Sequence, residues 1–384
     1  MKLFYEWGTK QLQKHGEELC GDNVAVARHA DSVTLALSDG LGSGVKANIL
    51  SILTTRIVMH LMENNLSLDN VVETLSKTLP VCEVRKLAYS TFAIGQFFSK
   101  GYARVVEFDT PSVILLRDRK SVPVPYEERK IEGKTIRESE LKPKIGDWIV
   151  FVSDGVVNAG IGGLYPLGWG LDKVARFLEE HCHPDLSAQQ LADKLAQAVW
   201  DLYCSKPGDD VSVAVIKVRH KLTATVLTGP PASKDADKAV VARFTQRLGF
   251  LAVCGGTTAK IVAHHLGAKS LDVDLATMKP DVPPLARIEG IDLTTEGILT
   301  LTRTNQLFHS GADKETVKFN NDGASALVRL CLDVDHIHFI VGLSVNPAHQ
   351  NPDLPGQLAM KLTVVREIAD ELRKRGKEVT IETV

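Results

Sequence analysis

Val33-Thr34-Leu35-Ala36-Leu37-Ser38-Asp39-Gly40 and Trp148-Ile149-Val150-Phe151-Val152-Ser153-Asp154-Gly155 repeat one pattern, a β-type run that closes on Ser-Asp-Gly. Two other places set aspartate beside a small residue at the start of such a run. These are Gly21-Asp22-Asn23 ahead of Val24–Ala27, and Gly208-Asp209-Asp210 ahead of Val211–Val218. A carboxylate at a strand end is held by a rigid scaffold yet faces solvent. The adjacent glycine is expected to let the backbone turn sharply and leave a carbonyl accessible. Hard divalent cations take such carboxylate and carbonyl oxygens. The competing reading is turn chemistry: one Asp-Gly after a strand is ordinarily a hairpin turn, and Gly146-Asp147 before Trp148 reads as one. By spacing alone the two readings stand level.

Outward from these motifs, Val45–Met62 carries Ile49, Ile52, Leu53, Ile57 and Leu61 at helical spacing and is expected to be an amphipathic helix. Ser67 caps a second helix, Leu68–Leu79, stopped by Pro80. Tyr89–Gln96, Tyr102–Glu107 and Ser112–Leu116 read as strands, and Ser187 with Gln190 forms a capping-box pattern that opens a helix over Ala188–Leu202. Strands joined by short turns predict an antiparallel arrangement flanked by helices.

The later sequence alternates differently: strand Leu222–Leu227, helix Asp235–Leu248, strand Phe250–Val253, helix Thr257–Leu266, then helix Gly323–Cys331, strand Ile337–Leu343, helix Leu362–Arg375 and strand Glu378–Glu382. That rhythm predicts a smaller α/β domain with a mostly parallel sheet. Every Trp and Tyr lies before residue 204. Two cores of different composition put a boundary near 218–222, giving domains 1–219 and 220–384.

The 384 residues suggest two to three domains at about 150 residues each. With 44% hydrophobic and 24% charged residues, long disorder and collagen-like structure are excluded. A net charge of -2 gives no bulk attraction to nucleic acid or anionic membrane. No apolar run approaches the ~18 residues of a membrane span. Met1 to Trp7 leads into Lys, Gln and Glu without an apolar signal core. Cys20, Cys82, Cys182, Cys204, Cys254 and Cys331 form no CxxC pair and read as reduced thiols. A soluble cytoplasmic protein is expected.

The order GDN, LSDGLGSG, STFAI, FVSDGV and GDDVSVAV resembles the PPM superfamily of protein phosphatase 2C-like, metal-dependent Ser/Thr phosphatases, and LSDGLGSG is similar to its bacterial SpoIIE-like branch. The resemblance covers about residues 1–219 and implies a phosphatase 2C-like β-sandwich flanked by helices. It implies a binuclear Mn²⁺ or Mg²⁺ centre in which Asp39 bridges both ions and the Gly40 carbonyl assists one. Asp22 would serve that ion, Asp154 and Asp209 would complete the other, and Asp210 would orient the ligands from behind. Catalysis would rest on Asp39 and Asp154, water attacking phosphoserine or phosphothreonine of a phosphorylated regulator protein. No cysteine sits in a Cys-x5-Arg loop. The eukaryotic branch has an acidic residue just before the first metal aspartate and an arginine upstream; here those places are Gly21 and His15-Gly16-Glu17-Glu18. The alternative function is a catalytically inactive, phosphoprotein-binding scaffold, against which four separate carboxylates argue.

Gly42-Ser43-Gly44-Val45-Lys46-Ala47 reads either as amides for an anion near the metals or as a flexible lead into a packed helix. In the resembled branch, helices beside the site switch activity, which implies that this helix couples metal binding to a partner. Ala159–Gly170 reads as a flap or as an inert loop. His181-Cys182-His183 lacks zinc ligands at the required spacing. His336 and His338 share one strand face and read as a polar sheet surface. In the second domain, Gly255, Gly256, Thr257 and Thr258 follow a strand and open a helix as a candidate anion loop. With Thr228–Pro231 and the polar turn Leu293–Gly297 they would line one cleft for a small phosphorylated ligand, making this domain a sensor; ordinary turns and capped helices are the other reading.

Overall fold

β3 (Ser32–Gly40) and β10 (Trp148–Val152) are apolar along most of their length because both faces of each strand are covered. Val33, Leu35 and Leu37 of β3 meet Ile149 and Phe151 of β10 in one shared core, while Ala36 packs outward on one side and Trp148, Val150 and Val152 outward on the other. The computed structural model describes residues 2–64, 66–78, 90–131, 133–267, 272–274, 285–344 and 356–384. The expected element ends Leu79 and Tyr89, together with Pro80 and Cys82, lie outside the described residues. The chain divides into two units, Met1–His220 and Lys221–Val384.

The first unit is a sandwich of two antiparallel sheets. One sheet joins β2 (Asp22–Arg28), β3, β4 (Ser90–Phe98), β5 (Tyr102–Phe108), β9 (Lys134–Leu141) and β8 (Glu127–Ile131), in that order. The other joins β1 (Phe4–Leu12), β11 (Val211–Arg219), β10, β6 (Ile114–Arg117) and β7 (Lys120–Val122). Helices α1 (Gly44–Glu63) and α2 (Leu68–Thr78) cover the outer face of the first sheet. Helices α4 (Leu171–His181) and α5 (Ala188–Leu202) cover that of the second, after the single turn α3 (Asp154–Val157). The capping box that opens α5 is present, with Gln190 N donating to Ser187 Oγ and Ser187 N to Gln190 Oε1.

α1 departs from the expected orientation. Its buried side chains are Ala47, Ser51, Thr54, Thr55, Val58, Met59 and Met62, and it packs on β2, β3 and β4. Ile49 and Leu53 are 58% and 47% exposed, and Val45 and Ile52 also face outward. The small and hydroxylated face fits because β2 and β3 approach α1 closely there: Asn23 Nδ2 donates to Thr55 Oγ1, and Gly40 lies against the Ala47 carbonyl. By length and composition α1 passes as a membrane span, contrary to the expectation that no stretch would. Here its buried face belongs to the core.

The second unit holds β12 (Thr223–Thr228), α6 (Asp237–Thr245), β13 (Phe250–Cys254), α7 (Gly256–Leu266), β14 (Asp272–Asp274), β15 (Leu285–Arg287), β16 (Leu293–Thr295), α8 (Ile298–His309), α9 (Gly323–Asp333), β17 (His336–Val341), α10 (Gly356–Lys374) and β18 (Glu378–Thr383). The sheet order is β14-β15-β16-β13-β12-β17-β18; β16 to β18 pair in parallel and β14 and β15 are antiparallel additions. Leu293–Thr295 is therefore a strand, not a turn. α8, α9 and α10 bury one sheet face, α6 and α7 the other. His336 and His338 both meet Thr380 Oγ1, and His338 also meets Glu382, which makes that face the polar surface expected of it.

Candidate functional site

Asp22 and Asp39 stand directly opposite each other on β2 and β3. Asp22 is 2% exposed, and its Oδ2 has no hydrogen-bond partner. Burial pushes its carboxyl up to about 7, opposed by the Ser153 and Ser212 hydroxyls and reinforced by Asp210 and Asp154. Asp39 is pushed up to about 9, first by burial and then by the charges of Asp22, Asp154, Asp209 and Asp210. Asp154 opens α3 and is raised by the packing around it and by Asp209. All five aspartates singled out in this half of the sequence thus interact at one end of the sandwich. Among the described residues, no three His, Cys, Asp or Glu side chains are gathered into a ready ligand shell.

The serines of the two Ser-Asp-Gly motifs stitch them to neighbouring strands. Ser38 Oγ donates to the Thr91 carbonyl at 2.8 Å, and Ser90 Oγ to the Asp39 carbonyl at 3.1 Å. On the other sheet, Ser153 Oγ accepts from Ser212 N at 2.8 Å. Gln11 Nε2 of β1 donates to both Ser212 Oγ and the Asp22 carbonyl, tying the sheets together. Asp210 is 4% exposed, accepts from Lys14 N at 2.9 Å and lies over Gly21, a carboxylate held in place from behind.

Gly40 and Gly155 do a different job from the one expected. Neither adopts positive φ. A Cβ on Gly40 would fall 2.0 Å from the Ala47 carbonyl oxygen of α1, and one on Gly155 2.0 Å from the Asp210 carbonyl oxygen. Both are glycine because another backbone passes against them. The α1 N-terminus also differs from the anion reading. Glu17 Oε1 accepts from Ser43 Oγ at 2.8 Å and Oε2 lies beside Gly44, so an internal carboxylate already occupies that end.

Three further residues belong to this neighbourhood. Asp109, at the end of β5 with φ +50°, contributes to raising Asp154; its motif, Phe-Asp-Thr-Pro, lacks the glycine that marked the others. Tyr203 donates its hydroxyl to the Gly155 carbonyl at 2.9 Å. Cys20 sits among Asp22 and Asp210, its thiol pushed up by burial and then by their charges. A cavity of about 410 Å³ beside Asp209 is walled by Gly160–Leu164, Tyr203 and Lys206, so the glycine-rich stretch borders the site. Gly255 to Thr258 lie in the second unit at the start of α7.

The donor set suits hard divalent cations: several carboxylates that repel one another, and a buried oxygen without a partner. Residues 29–219 match the family described as stage II sporulation protein E (SpoIIE). No curated protein matches the chain. Among solved structures it is similar to the SpoIIE phosphatase domain of Bacillus subtilis in a crystal form without domain swapping (18% identity, 57% of this chain and 94% of that one, TM-score 0.44). It is also similar to the B. subtilis SpoIIE PP2C phosphatase domain with a fragment of its regulatory domain (19%, 57% and 64%, 0.49), and to the RsbU and RsbW domains of a Mycobacterium tuberculosis protein (17%, 62% and 68%, 0.47). Every acidic motif after Asp22 lies inside the stretch, residues 29–219, that matches the SpoIIE family.

Proposed function

We propose that the protein is a Mn²⁺- or Mg²⁺-dependent phosphatase that hydrolyses phosphoserine or phosphothreonine on a phosphorylated regulator protein in the cytoplasm, with unit 221–384 as its regulatory part. The observation that carries this is the convergence of Asp22, Asp39, Asp154 and Asp209, with one buried Asp22 oxygen left without a partner. In this reading Asp39, Asp22, the Gly40 carbonyl, Asp154 and Asp209 would hold the divalent cations. Bound divalent cations supply an acidified water and neutralise phosphoryl oxygens. The chain's own residues keep the ligands in place: Ser90 fixes the Asp39 peptide, Ser153 ties its turn to β11, and Asp210 braces the loop at Lys14. Lys206 in the neighbouring cavity offers substrate phosphate the positive charge that no upstream arginine supplies.

The test is hydrolysis of para-nitrophenyl phosphate by the purified chain in EDTA, Mg²⁺ or Mn²⁺. Activity should need a divalent cation and fall at least about 100-fold in Asp39→Asn and Asp154→Asn. Lys206→Ala should raise KM more than it lowers kcat. Full activity in both aspartate variants would overturn the assignment. A chain that binds no Mn²⁺ by calorimetry would support the inactive scaffold instead.

A further inference from the structure

The parallel core of the second unit runs β16-β13-β12-β17-β18, with β12 first in sequence and its successors added first to one side and then to the other. The order reverses between β12 and β17. A crevice opens there outside the carboxyl ends of such strands, and α/β sheets bind ligands in it. Here the loops after β12 and β17 are stitched together, Gly342 N donating to the Thr228 carbonyl and Ser344 N to the Pro230 carbonyl. A cavity of about 560 Å³ lies at this edge, walled by the loops after β12, β13, β16 and β17, and it has the size of a small-molecule site.

Its polar groups are unequally occupied. At the start of α8, Glu296 Oε2 accepts from Leu299 N, so that N-terminus already has its anion. The start of α7 has none: its N-cap is Gly255, with φ +138°, and no side chain caps it. Helix geometry leaves the Gly256, Thr257 and Thr258 amides without intrahelical acceptors. Independently, Thr258 is 2% exposed, lines the cavity against the Gly255 turn, and its hydroxyl has no partner. Across the cavity Lys361 lies over Gly229, where a Cβ would collide with its ammonium, and among the described residues its one hydrogen bond is a long 3.3 Å contact to the Gly342 carbonyl. Asp237, which also lines the wall, keeps one carboxylate oxygen without a donor. Pro230, Ile261, Ile298 and Met360 supply apolar wall.

We infer that this cavity binds a small phosphorylated molecule of nucleoside-monophosphate size, its phosphate on the α7 amides and Thr258 hydroxyl facing Lys361, its hydroxyls donating to Asp237 and its body against the apolar wall. The assignment does not rest on the phosphatase reading, since no residue is shared between the two sites.

The experiment is hydrogen exchange and thermal unfolding of the full chain in EDTA, with AMP, ribose 5-phosphate, adenosine or inorganic phosphate at millimolar concentration. AMP or ribose 5-phosphate should slow exchange across 255–262 and raise the melting temperature, and adenosine should do neither. Thr258→Val and Lys361→Met should each weaken that binding at least tenfold, with ligand-free melting within a few degrees of the parent chain. If Thr258→Val fails to fold, Lys361→Met and the exchange pattern of the parent chain decide. Four results would overturn the inference: no protection by either ester, protection elsewhere only, binding indifferent to Lys361→Met, or adenosine or inorganic phosphate binding as tightly as the esters.

Discussion

Gly155 shows how much of the acidic end of the sandwich depends on single close approaches. Its Cα lies against the Asp210 carbonyl, and Tyr203 donates to its own carbonyl. A methyl group placed there must push the Asp210 loop away or displace α3. Gly155→Ala is expected to cost about 1–3 kcal/mol in urea unfolding, as overpacking does, and to weaken Mn²⁺ binding in the same variant. Unchanged metal affinity with unchanged stability would mean that the loop can move aside freely. The motif itself was legible because Ser-Asp-Gly recurs after two β-type runs. The reason for its glycine was not, because only the fold brings Asp210 to that spot. Asp109 escaped for the complementary reason: an aspartate followed by Thr-Pro carries no mark that separates it from an ordinary loop residue, and its proximity to Asp154 arises from the return of β5.

Among elements, α1 is where periodicity misled. Of the expected stripe Ile49, Ile52, Leu53, Ile57 and Leu61, only Ile57 and Leu61 pack against the core; Ile49, Ile52 and Leu53 face outward, and the first turns of the helix set Ala47, Ser51, Thr54 and Thr55 on the sheet, ahead of Val58, Met59 and Met62. Leu53→Ser should therefore leave the chemical unfolding midpoint nearly unchanged, within about 0.5 kcal/mol, whereas Val58→Ala should cost about 1–3 kcal/mol. Equal destabilisation by the two would return the stripe to the core. β1 was missed because it is an edge strand with only Tyr5 and Gly8 buried, whereas α5 was readable from its capping box alone. Gly146-Asp147 lies in a turn, but not the expected hairpin, since it carries the chain from β9 in one sheet to β10 in the other; it also anchors a buried ion pair: Asp147 is 1% exposed and receives Arg117 Nε at 2.9 Å, Arg117 Nη2 at 2.6 Å and Lys144 N at 2.8 Å. Asp147→Ala should destabilise the chain by about 3–5 kcal/mol, because it strands these donors; a loss under 1 kcal/mol would show them resolvated.

At the scale of the whole molecule, the proposed cation site would link stability and cation binding through the same carboxyls. Asp22 and Asp39 hold their protons to about pH 7 and about pH 9, far above the ordinary 3.8 of an aspartate, first because burial disfavours their charge and then because neighbouring carboxylates do. Folding of the cation-free chain therefore takes up protons. A group whose proton affinity rises on folding contributes stability in full below its unfolded value, and that contribution drains away as pH rises through the folded value. In EDTA, the urea midpoint should accordingly fall between about pH 5 and pH 9. On the proposed function, divalent cations would bind the deprotonated carboxylates and release those protons, so millimolar Mn²⁺ should restore most of the loss, and restore more at pH 8 than at pH 6. Asp39→Asn removes the most strongly displaced carboxyl; it should make the cation-free chain more stable at pH 8 than the parent while abolishing the Mn²⁺ effect. This opposition between stability and activity at one residue is the signature of a carboxylate kept for a cation rather than for the fold. A flat pH profile in EDTA, or an Asp39→Asn chain that Mn²⁺ still stabilises as it does the parent, would remove Asp39 from the centre of the site.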